Sequence, residues 1–263
     1  MIRTWLALAV LCAGTARGAG PSYSAAGIVN ASNYAPGPFA ANSVITVFGS
    51  GLARSTHALT ADDLVACTNS LTGKCLPTEL NYVRVYVQER PMPILFVGDK
   101  QVNFLMSSLE PAGIVKIRVV TEGITGPEIT LTLVDSAPAL FALPDGTAIA
   151  TDREGQLLTA SHPAHAGDIV VVYATGLGVT SPNPAVGEIP NYAASILPTA
   201  ALKITLNGAP VDADRIKYAG LTPLSAGLYQ INLELPCCTG DDPEIRVTAG
   251  TLTAPGGLKL PLR

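Results

Sequence analysis

Short runs of alternating apolar and polar residues recur along this chain, and each run stops at a turn rich in glycine, proline or asparagine. In residues 82–87 the three valines share one face, as a strand buried on one side requires. Turn signals fall about every ten residues, which is the rhythm of an antiparallel β-sandwich. The pattern predicts strands at residues 44–48, 82–87, 94–97, 102–106, 115–119, 129–133, 202–206, 228–235, 245–247 and 258–262.

The strand pattern occurs twice. Matched segments lie 125 to 129 residues apart, as expected for two tandem copies of one domain with small loop differences. The matches are VITVFGSGLA at 44–53 with IVVVYATGLG at 169–178, QVN at 101–103 with QIN at 230–232, and IRV at 117–119 with IRV at 245–247.

No stretch of helical periodicity interrupts the strands, so the sequence predicts an all-β protein made of two tandem immunoglobulin-like β-sandwiches. The first sandwich is predicted at residues 22–134, with a cysteine-containing loop insertion at 54–77. The second is predicted at residues 137–263. The joint is placed at Ser136-Ala137-Pro138, because proline cannot continue a hydrogen-bonded ladder.

Residues 1–18 have the features of a signal peptide. Arg3 gives a basic start, an apolar stretch too short to cross a bilayer follows, and Ala16-Arg17-Gly18 is a small-x-small cleavage site. A lipid anchor on Cys12 is the less favoured alternative to cleavage after Gly18, because Leu11 precedes Cys12 where a small residue is expected. We therefore expect an exported protein, whether secreted, periplasmic or at the cell surface, without a transmembrane segment after cleavage.

Composition and charge exclude some function classes. The chain is 48% hydrophobic and 14% charged, which indicates a globular rather than a disordered protein. The net charge is −4, and losing Arg3 and Arg17 with the signal peptide makes the mature chain more acidic. Such a surface has no affinity for nucleic acid by charge alone.

Three segments resemble a known family. The sequences IVNASNYAPGPFAANSVITVFGSGL, HPAHAGDIVVVYATGLG and IKYAGLTPLSAGLYQINLELP are similar to an uncharacterised secreted C-terminal domain family of acidobacteria, first named from Solibacter. The resemblance covers nearly the whole mature chain. It implies a pair of sandwiches similar to IPT/TIG domains, and it implies no catalytic residue. We expect the chain to depart from the family pattern in two ways, by lacking an upstream domain and by carrying the insertion at 54–77.

Candidate metal ligands are few. His162 and His165 are close in sequence and Asp168 follows them, but Pro163 makes this segment a loop, and an exposed turn is the favoured interpretation. His57 has no obvious cysteine or carboxylate partner at motif spacing. We predict no metal site and no cofactor. Weak calcium binding stays open at three acidic loops, which are Asp62-Asp63, Asp212 with Asp214, and Asp241-Asp242.

Candidate catalytic residues are also few. Ser50 lies in a Gly-Ser-Gly turn without the G-x-S-x-G frame, and Thr175 occupies the equivalent turn of the second copy. A feature present in both copies is better explained by the fold. The same reasoning predicts that the amides of Gln101, Asn103, Gln230 and Asn232 satisfy backbone groups of neighbouring loops.

Four cysteines follow the signal peptide. In an exported protein they are candidates for disulfides. Cys67 and Cys75 lie in one insertion, so we predict that they pair. The adjacent Cys237 and Cys238 form either a strained vicinal disulfide or two reduced thiols.

The sequence therefore favours a non-catalytic secreted or cell-surface module that binds an unknown protein or glycan through loops at the sandwich ends. One alternative is a hydrolase-type enzyme with a site between the domains. Another is an assembly subunit that binds its partners by strand addition, which would require an unprotected edge strand.

Overall fold

The computed structural model describes residues 20–197 and 202–263. The described residues form β-strands and short 3-10 helices, and they contain no α-helix. The predicted all-β class, with tandem immunoglobulin-like sandwiches, is confirmed. The predicted signal peptide at residues 1–18, including Cys12, lies outside the described residues.

The first half of the chain builds two main sheets. One has the strand order β1-β3-β10-β9-β4, and the other has β2-β13-β11-β7-β8 with β12 beside β11. All these strands pair antiparallel except β2 with β13, which pair parallel. The strands are β1 (Ser22–Asn30), β2 (Phe39–Ala40), β3 (Val44–Ser50), β4 (His57–Ala58), β5 (Val65–Ala66), β6 (Lys74–Cys75), β7 (Val83–Val87), β8 (Arg90–Met92), β9 (Ile94–Gly98), β10 (Gln101–Leu105), β11 (Gly113–Thr121), β12 (Ile124–Thr125) and β13 (Ile129–Val134).

The second half repeats this plan. One sheet has the order β14-β16-β22-β21-β18-β17 with β15 beside β16, and the other has β20-β19-β23-β24. The strands are β14 (Ala139–Leu140), β15 (Ala150–Thr151), β16 (Ile169–Thr175), β17 (Thr180–Ser181), β18 (Ala194–Ile196), β19 (Leu202–Leu206), β20 (Ala209–Pro210), β21 (Ile216–Leu221), β22 (Tyr229–Glu234), β23 (Ile245–Ala249) and β24 (Leu252–Thr253). Short 3-10 helices cover Ala61–Asp63 and Ala213–Arg215.

Buried hydrophobic residues form two clusters, one in each half. In the first cluster, Val47 of one sheet and Val85 of the other are fully buried, so the two sheets share a core. In the second cluster, Val172 and Val247 come from the two different sheets and are likewise fully buried. Burial of such side chains stabilises each half by roughly 1.5 to 3 kcal/mol per residue. The exact domain bounds at residues 134 and 137 stay a prediction.

The matched segments pair in the same register in both halves. Gln101 of β10 lies opposite Phe48 of β3, and Gln230 of β22 lies opposite Tyr173 of β16. Among the strands of five or more residues, two escaped the sequence pattern, namely β1 and β21. Both contain glycine and polar residues, and a partner strand rather than local alternation holds them in place.

The segment 54–77, predicted as a loop insertion, contains regular structure. Its strand β4 pairs with β9 at the edge of the first sheet, and β5 pairs with β6 as a separate hairpin. The predicted strand at 258–262 is irregular and makes isolated bridges to Ala164, Thr147 and Glu244.

Candidate functional site

The outer surface of the first sheet carries two aromatic rings beside two amides, and we call Tyr34, Phe48, Gln101 and Asn103 the amide–aromatic face. The strand β3 directs Val47 into the core, so alternation turns Phe48 outward. Tyr34 lies in the turn after β1. Its ring centroid is 5.9 Å from that of Phe48, and the ring planes are tilted by 45°. Tyr34 is 61% exposed and Phe48 is 37% exposed.

Hydrogen bonds hold the amides of this face in one orientation. Asn103 Oδ1 accepts from Gln101 Nε2 at 2.9 Å and from Thr46 Oγ1 at 3.0 Å. Gln101 Oε1 and Asn103 Nδ2 have no hydrogen bond to the described residues, and neither is a buried unsatisfied atom. The face therefore presents one acceptor and one donor group to solvent beside the two rings.

The second half has a counterpart. Gln230 Nε2 donates to Asn232 Oδ1 at 2.9 Å, and Tyr173 lies opposite Gln230. Val171 stands opposite Asn232, where the first half has Thr46 opposite Asn103. The prediction that these amides satisfy backbone groups of neighbouring loops is wrong. Each pair bonds side chain to side chain along one strand, because residues two apart on a strand point to the same face.

The two histidines of the 162–168 loop bind different carboxylates. His162 Nε2 lies 2.8 Å from Asp152 Oδ2, and His165 Nδ1 lies 3.6 Å from Asp168 Oδ2. The hydrogen bond from His162 lowers the pKa of Asp152. Within the described residues, no group of three histidine, cysteine or acidic side chains is arranged to hold a metal ion.

His57 has a carboxylate partner that the sequence reasoning missed. Its Nε2 lies 3.0 Å from Asp63 Oδ2, which also accepts from the backbone N and the hydroxyl of Thr60, both at 2.7 Å. The hydrogen bond from His57, followed by those from Thr60, lowers the pKa of Asp63 to about 2. The 3-10 turn Ala61–Asp63 creates this contact, and no motif spacing would have predicted it.

The two turns considered for hydrolase chemistry differ in their surroundings. Ser50 is exposed at the end of β3. Thr175 is fully buried, and its Oγ1 accepts from Val44 N at 3.3 Å and donates to Gly227 O at 3.1 Å. Within the described residues, neither hydroxyl is hydrogen-bonded to a histidine, the commonest activating base of such a nucleophile.

The predicted Cys67–Cys75 disulfide is confirmed, with the Cα atoms 5.7 Å apart. Cys237 and Cys238 are exposed free thiols, which agrees with the second of the two states left open for them. Hydrogen bonding to Cys237 raises the pKa of the Cys238 thiol.

A buried carboxylate, Glu188, joins the disulfide-containing segment to the second half. Its Oε1 accepts from Leu71 N and Thr72 N, both at 3.0 Å, and its Oε2 accepts from Ala185 N at 2.9 Å. Burial alone would raise the pKa of Glu188, but hydrogen bonds from Ala185, Thr72 and their neighbours hold it below its ordinary value.

The backbone continues this connection. Leu76 N donates to Gly187 O at 2.8 Å, and Ile189 N donates to Lys74 O at 3.0 Å. We call Glu188 with these contacts the junction brace. The sequence hinted at this contact in one way only, because Glu188 is an acidic residue within an otherwise apolar stretch around residues 186–189.

A cleft of about 720 Å³ lies between β1 and β13, and we call it the edge cleft. Ile28, Phe39, Leu131 and Leu252 are among its apolar lining residues, and Asp135 supplies its one carboxylate. Histidine, cysteine, lysine and arginine are absent from its lining. The cleft thus suits binding of an apolar group more than general acid–base chemistry.

Among residues 20–197 and 202–263, no helix has the length and apolar character needed to span a membrane.

No family model matches this chain, and no curated protein matches it either. Solved structures with some likeness include the surface glycan-binding protein SGBP-B of Bacteroides ovatus in complex with a mixed-linkage heptasaccharide, at 8% identity, 85% coverage of this chain, 44% coverage of that chain and a TM-score of 0.32. The surface glycan-binding protein PbSGBP-B of Prevotella bryantii has 11% identity, 91% and 42% coverage and a TM-score of 0.27.

A third structure, the γ-CGTase of alkalophilic Bacillus clarkii, has 11% identity, 94% and 26% coverage and a TM-score of 0.30. The chain spans less than half the length of each of these three proteins. Similarity this low assigns no function.

Proposed function

We propose that this protein is a non-catalytic binding module of an exported protein, and that its amide–aromatic face binds carbohydrate. The observation that carries the proposal is the exposed Tyr34–Phe48 pair lying beside the amides of Gln101 and Asn103, which are held in a fixed orientation. The site lies on a sheet surface, whereas the sequence reasoning placed binding in loops at the sandwich ends.

Carbohydrate is the ligand class whose chemistry matches this face. A sugar ring has an apolar surface of C–H groups, which packs on aromatic rings, and a rim of hydroxyls, each of which donates and accepts hydrogen bonds. The two rings provide the apolar strip, and the outward Gln101 Oε1 and Asn103 Nδ2 provide an acceptor and a donor. Because Thr46 and Gln101 already hold Asn103, binding needs little ordering of side chains.

The state of the histidines supports a non-catalytic role. His57 and His162 each contact a carboxylate through Nε2, and within the described residues neither imidazole ring is hydrogen-bonded to a serine, threonine or cysteine side chain. A nucleophile without a hydrogen-bonded base is weakly reactive at neutral pH.

Export is part of the same proposal. The Cys67–Cys75 disulfide is of the kind that persists in oxidising compartments. The resemblance to the secreted acidobacterial family and the predicted signal peptide point in the same direction.

The test is carbohydrate binding by the mature chain, measured by affinity electrophoresis in gels containing soluble polysaccharides and by calorimetry with derived oligosaccharides. Phe48→Ala and Gln101→Ala should each weaken binding about tenfold, because each removes one part of a small contact surface. Tyr82→Ala is the matched control, since Tyr82 is 70% exposed and precedes β7 in the opposite sheet. Binding that survives Phe48→Ala and Tyr34→Ala together would disprove this site, as would failure of the wild type to bind any polysaccharide tested.

A further inference from the structure

A third aromatic ring, that of Phe96, lies beside the amides of the amide–aromatic face. Phe96 of β9 is opposite Asn103 of β10, and the next residue, Val97, is fully buried in the core. Residues opposite each other in an antiparallel pair project to the same side of the sheet, and successive residues project to opposite sides. The Phe96 ring therefore lies on the outer surface, on the same side as the Asn103 amide.

The ring of Phe96 lies over a glycine. Gly98, two residues further along β9, is opposite Gln101. A β-carbon at Gly98 would lie 3.4 Å from Phe96 Cε1 and 3.5 Å from Phe96 Cζ, so the missing side chain leaves room for the ring to lie along the sheet. The ring thereby approaches the row formed by Gln101 and Phe48, which are opposite each other on β10 and β3.

Aromatic rings therefore flank the amides on both sides. In the strand order β1-β3-β10-β9-β4, the amides are on β10, Phe48 is on β3 and Phe96 is on β9. Tyr34, in the turn after β1, has its ring centroid 5.9 Å from that of Phe48. Neighbouring strands are about 4.8 Å apart, so Phe48 and Phe96 are separated by about 10 Å across the sheet. The row of rings is therefore longer than a single sugar.

The row is accessible at both ends. Tyr34 is 61% exposed at one end. At the other end β4 has only two residues, and Ala58, which is opposite Phe96, is exposed. The small side chain of Ala58 leaves room for a ligand to continue beyond Phe96. This shape suits the interior of a sugar chain rather than its terminal sugar.

The outward side chains of this row are uncharged. On β3, β10 and β9 they are those of Thr46, Phe48, Gln101, Asn103 and Phe96. Asp99 and Lys100, in the turn between β9 and β10, form an ion pair with each other at 3.0 Å. A carboxylate that leaves water needs a cationic partner, so this face favours neutral sugars over acidic ones.

We propose that the amide–aromatic face extends to Phe96 and binds a segment of a neutral polysaccharide that lies across the strands. One sugar packs on the Tyr34–Phe48 pair, another packs on Phe96, and the amides between them bond hydroxyls of the chain. Phe96 is a specificity-determining residue, because it selects a chain of sugars over a single sugar. This inference rests on the proposed carbohydrate function and adds the length and charge of the ligand.

The probes are cello-, xylo-, laminari- and malto-oligosaccharides, each from the disaccharide to the hexasaccharide, and their binding to the mature chain is measured by calorimetry. In the series that binds, affinity should rise about tenfold from the disaccharide to the tetrasaccharide. The reason is that the longer chain reaches both Phe48 and Phe96, and the second contact is intramolecular. Oligogalacturonates of the same lengths are the acidic comparison and should bind about tenfold more weakly.

Phe96→Leu keeps an apolar side chain beside Gly98 and removes the flat ring. The tetrasaccharide should then bind about as weakly as the disaccharide, while disaccharide affinity stays within about twofold of wild type. Phe96→Tyr is the matched control and should keep the rise with chain length. Tyr218 has the matching position opposite Asn232 in the second half, so a strand of this kind accommodates a tyrosine there. Phe48→Ala should weaken binding of oligosaccharides of every length.

The outcomes separate this inference from the proposed function. Equal affinity for the disaccharide and the tetrasaccharide, or an unchanged rise with chain length in a folded Phe96→Leu variant, would overturn the role of Phe96. A loss of binding in Phe48→Ala would still support the carbohydrate function in that case. Equal binding of oligogalacturonates would overturn the preference for neutral sugars. Absence of binding to all four neutral series would overturn the proposed function and this inference together.

Discussion

The two halves end their central strands in turns that are alike in backbone and unlike in surroundings. Gly51 after β3 and Gly176 after β16 both have positive φ, 65° and 75°, a conformation that favours glycine. Yet Ser50 is exposed, whereas Thr175 is buried where the halves meet and bonds Val44 N. A repeated sequence thus specifies the turn, and the neighbouring half decides whether its hydroxyl is a surface group or a structural contact.

The same contrast extends to the segments that follow. In the first half, residues 54–77, which contain the disulfide, extend to the second half and contact it through the junction brace. The second half contributes Glu188 to this contact. Variants of the brace and of the two turns should therefore separate what the repeat provides from what the contact between halves provides.

The largest effect is expected for Glu188→Ala. Three backbone N–H groups lose their acceptor, at about 1 kcal/mol or more each, so the free energy of unfolding should fall by about 3 kcal/mol. Urea unfolding measures this change. Glu188→Gln keeps one acceptor oxygen and should lose less than Glu188→Ala. Equal stability of wild type and Glu188→Ala would show that the brace contributes nothing.

Removal of the disulfide by the double variant Cys67→Ser and Cys75→Ser should lower stability by roughly 2 to 3 kcal/mol, because the unfolded chain gains the freedom of a short loop. The control is the double variant Cys237→Ser and Cys238→Ser, whose thiols are exposed, with an expected change within about 0.5 kcal/mol. Thermal unfolding of both variants makes the comparison. A larger loss in the control than in the disulfide variant would contradict it.

Thr175→Val and Ser50→Ala test the two turns directly. Thr175→Val leaves Val44 N and Gly227 O without their partner and should cost about 1.5 kcal/mol. Ser50→Ala removes an exposed hydroxyl and should change stability by less than about 0.5 kcal/mol. Chemical unfolding of both variants measures the difference, and similar values for the two would remove the contrast between the turns.

The smallest effect is expected on how far low pH reduces the stability of the protein. The pKa of Asp63 is lowered in the folded chain, so its contribution to stability is present above its ordinary pKa of 3.8 and is lost as the pH falls toward about 2. Melting temperatures from about pH 5 to about pH 2 should fall less steeply for Asp63→Asn than for wild type. Asp62→Asn, whose carboxylate does not bond His57, is the control and should follow the wild-type curve.

Some features of the fold could be predicted because their cause is local. Alternation in Val83–Val87 placed three valines on the buried face. The pair Asn207-Gly208 has the side-chain chemistry that favours a tight hairpin turn, and both residues have the positive φ that such a turn needs. Two cysteines eight residues apart in one segment predicted their own pairing.

The candidate sites were harder to predict. Gln101 and Asn103 were predicted to satisfy backbone groups of loops, whereas their side chains bond each other. Tyr34, which completes the aromatic pair, had no periodic signal because it lies in a turn.

The sequence by itself determined the all-β class, the strand faces, the matched registers of the two halves and the local disulfide, because alternation, turn chemistry and short loops act within a few residues. Tertiary structure alone decided that Glu188 binds the 54–77 segment and that Thr175 is buried while Ser50 is exposed. Each of these depends on which distant segment fills a given space. Contacts between residues far apart in sequence follow from the packing of whole sheets, which no local pattern encodes.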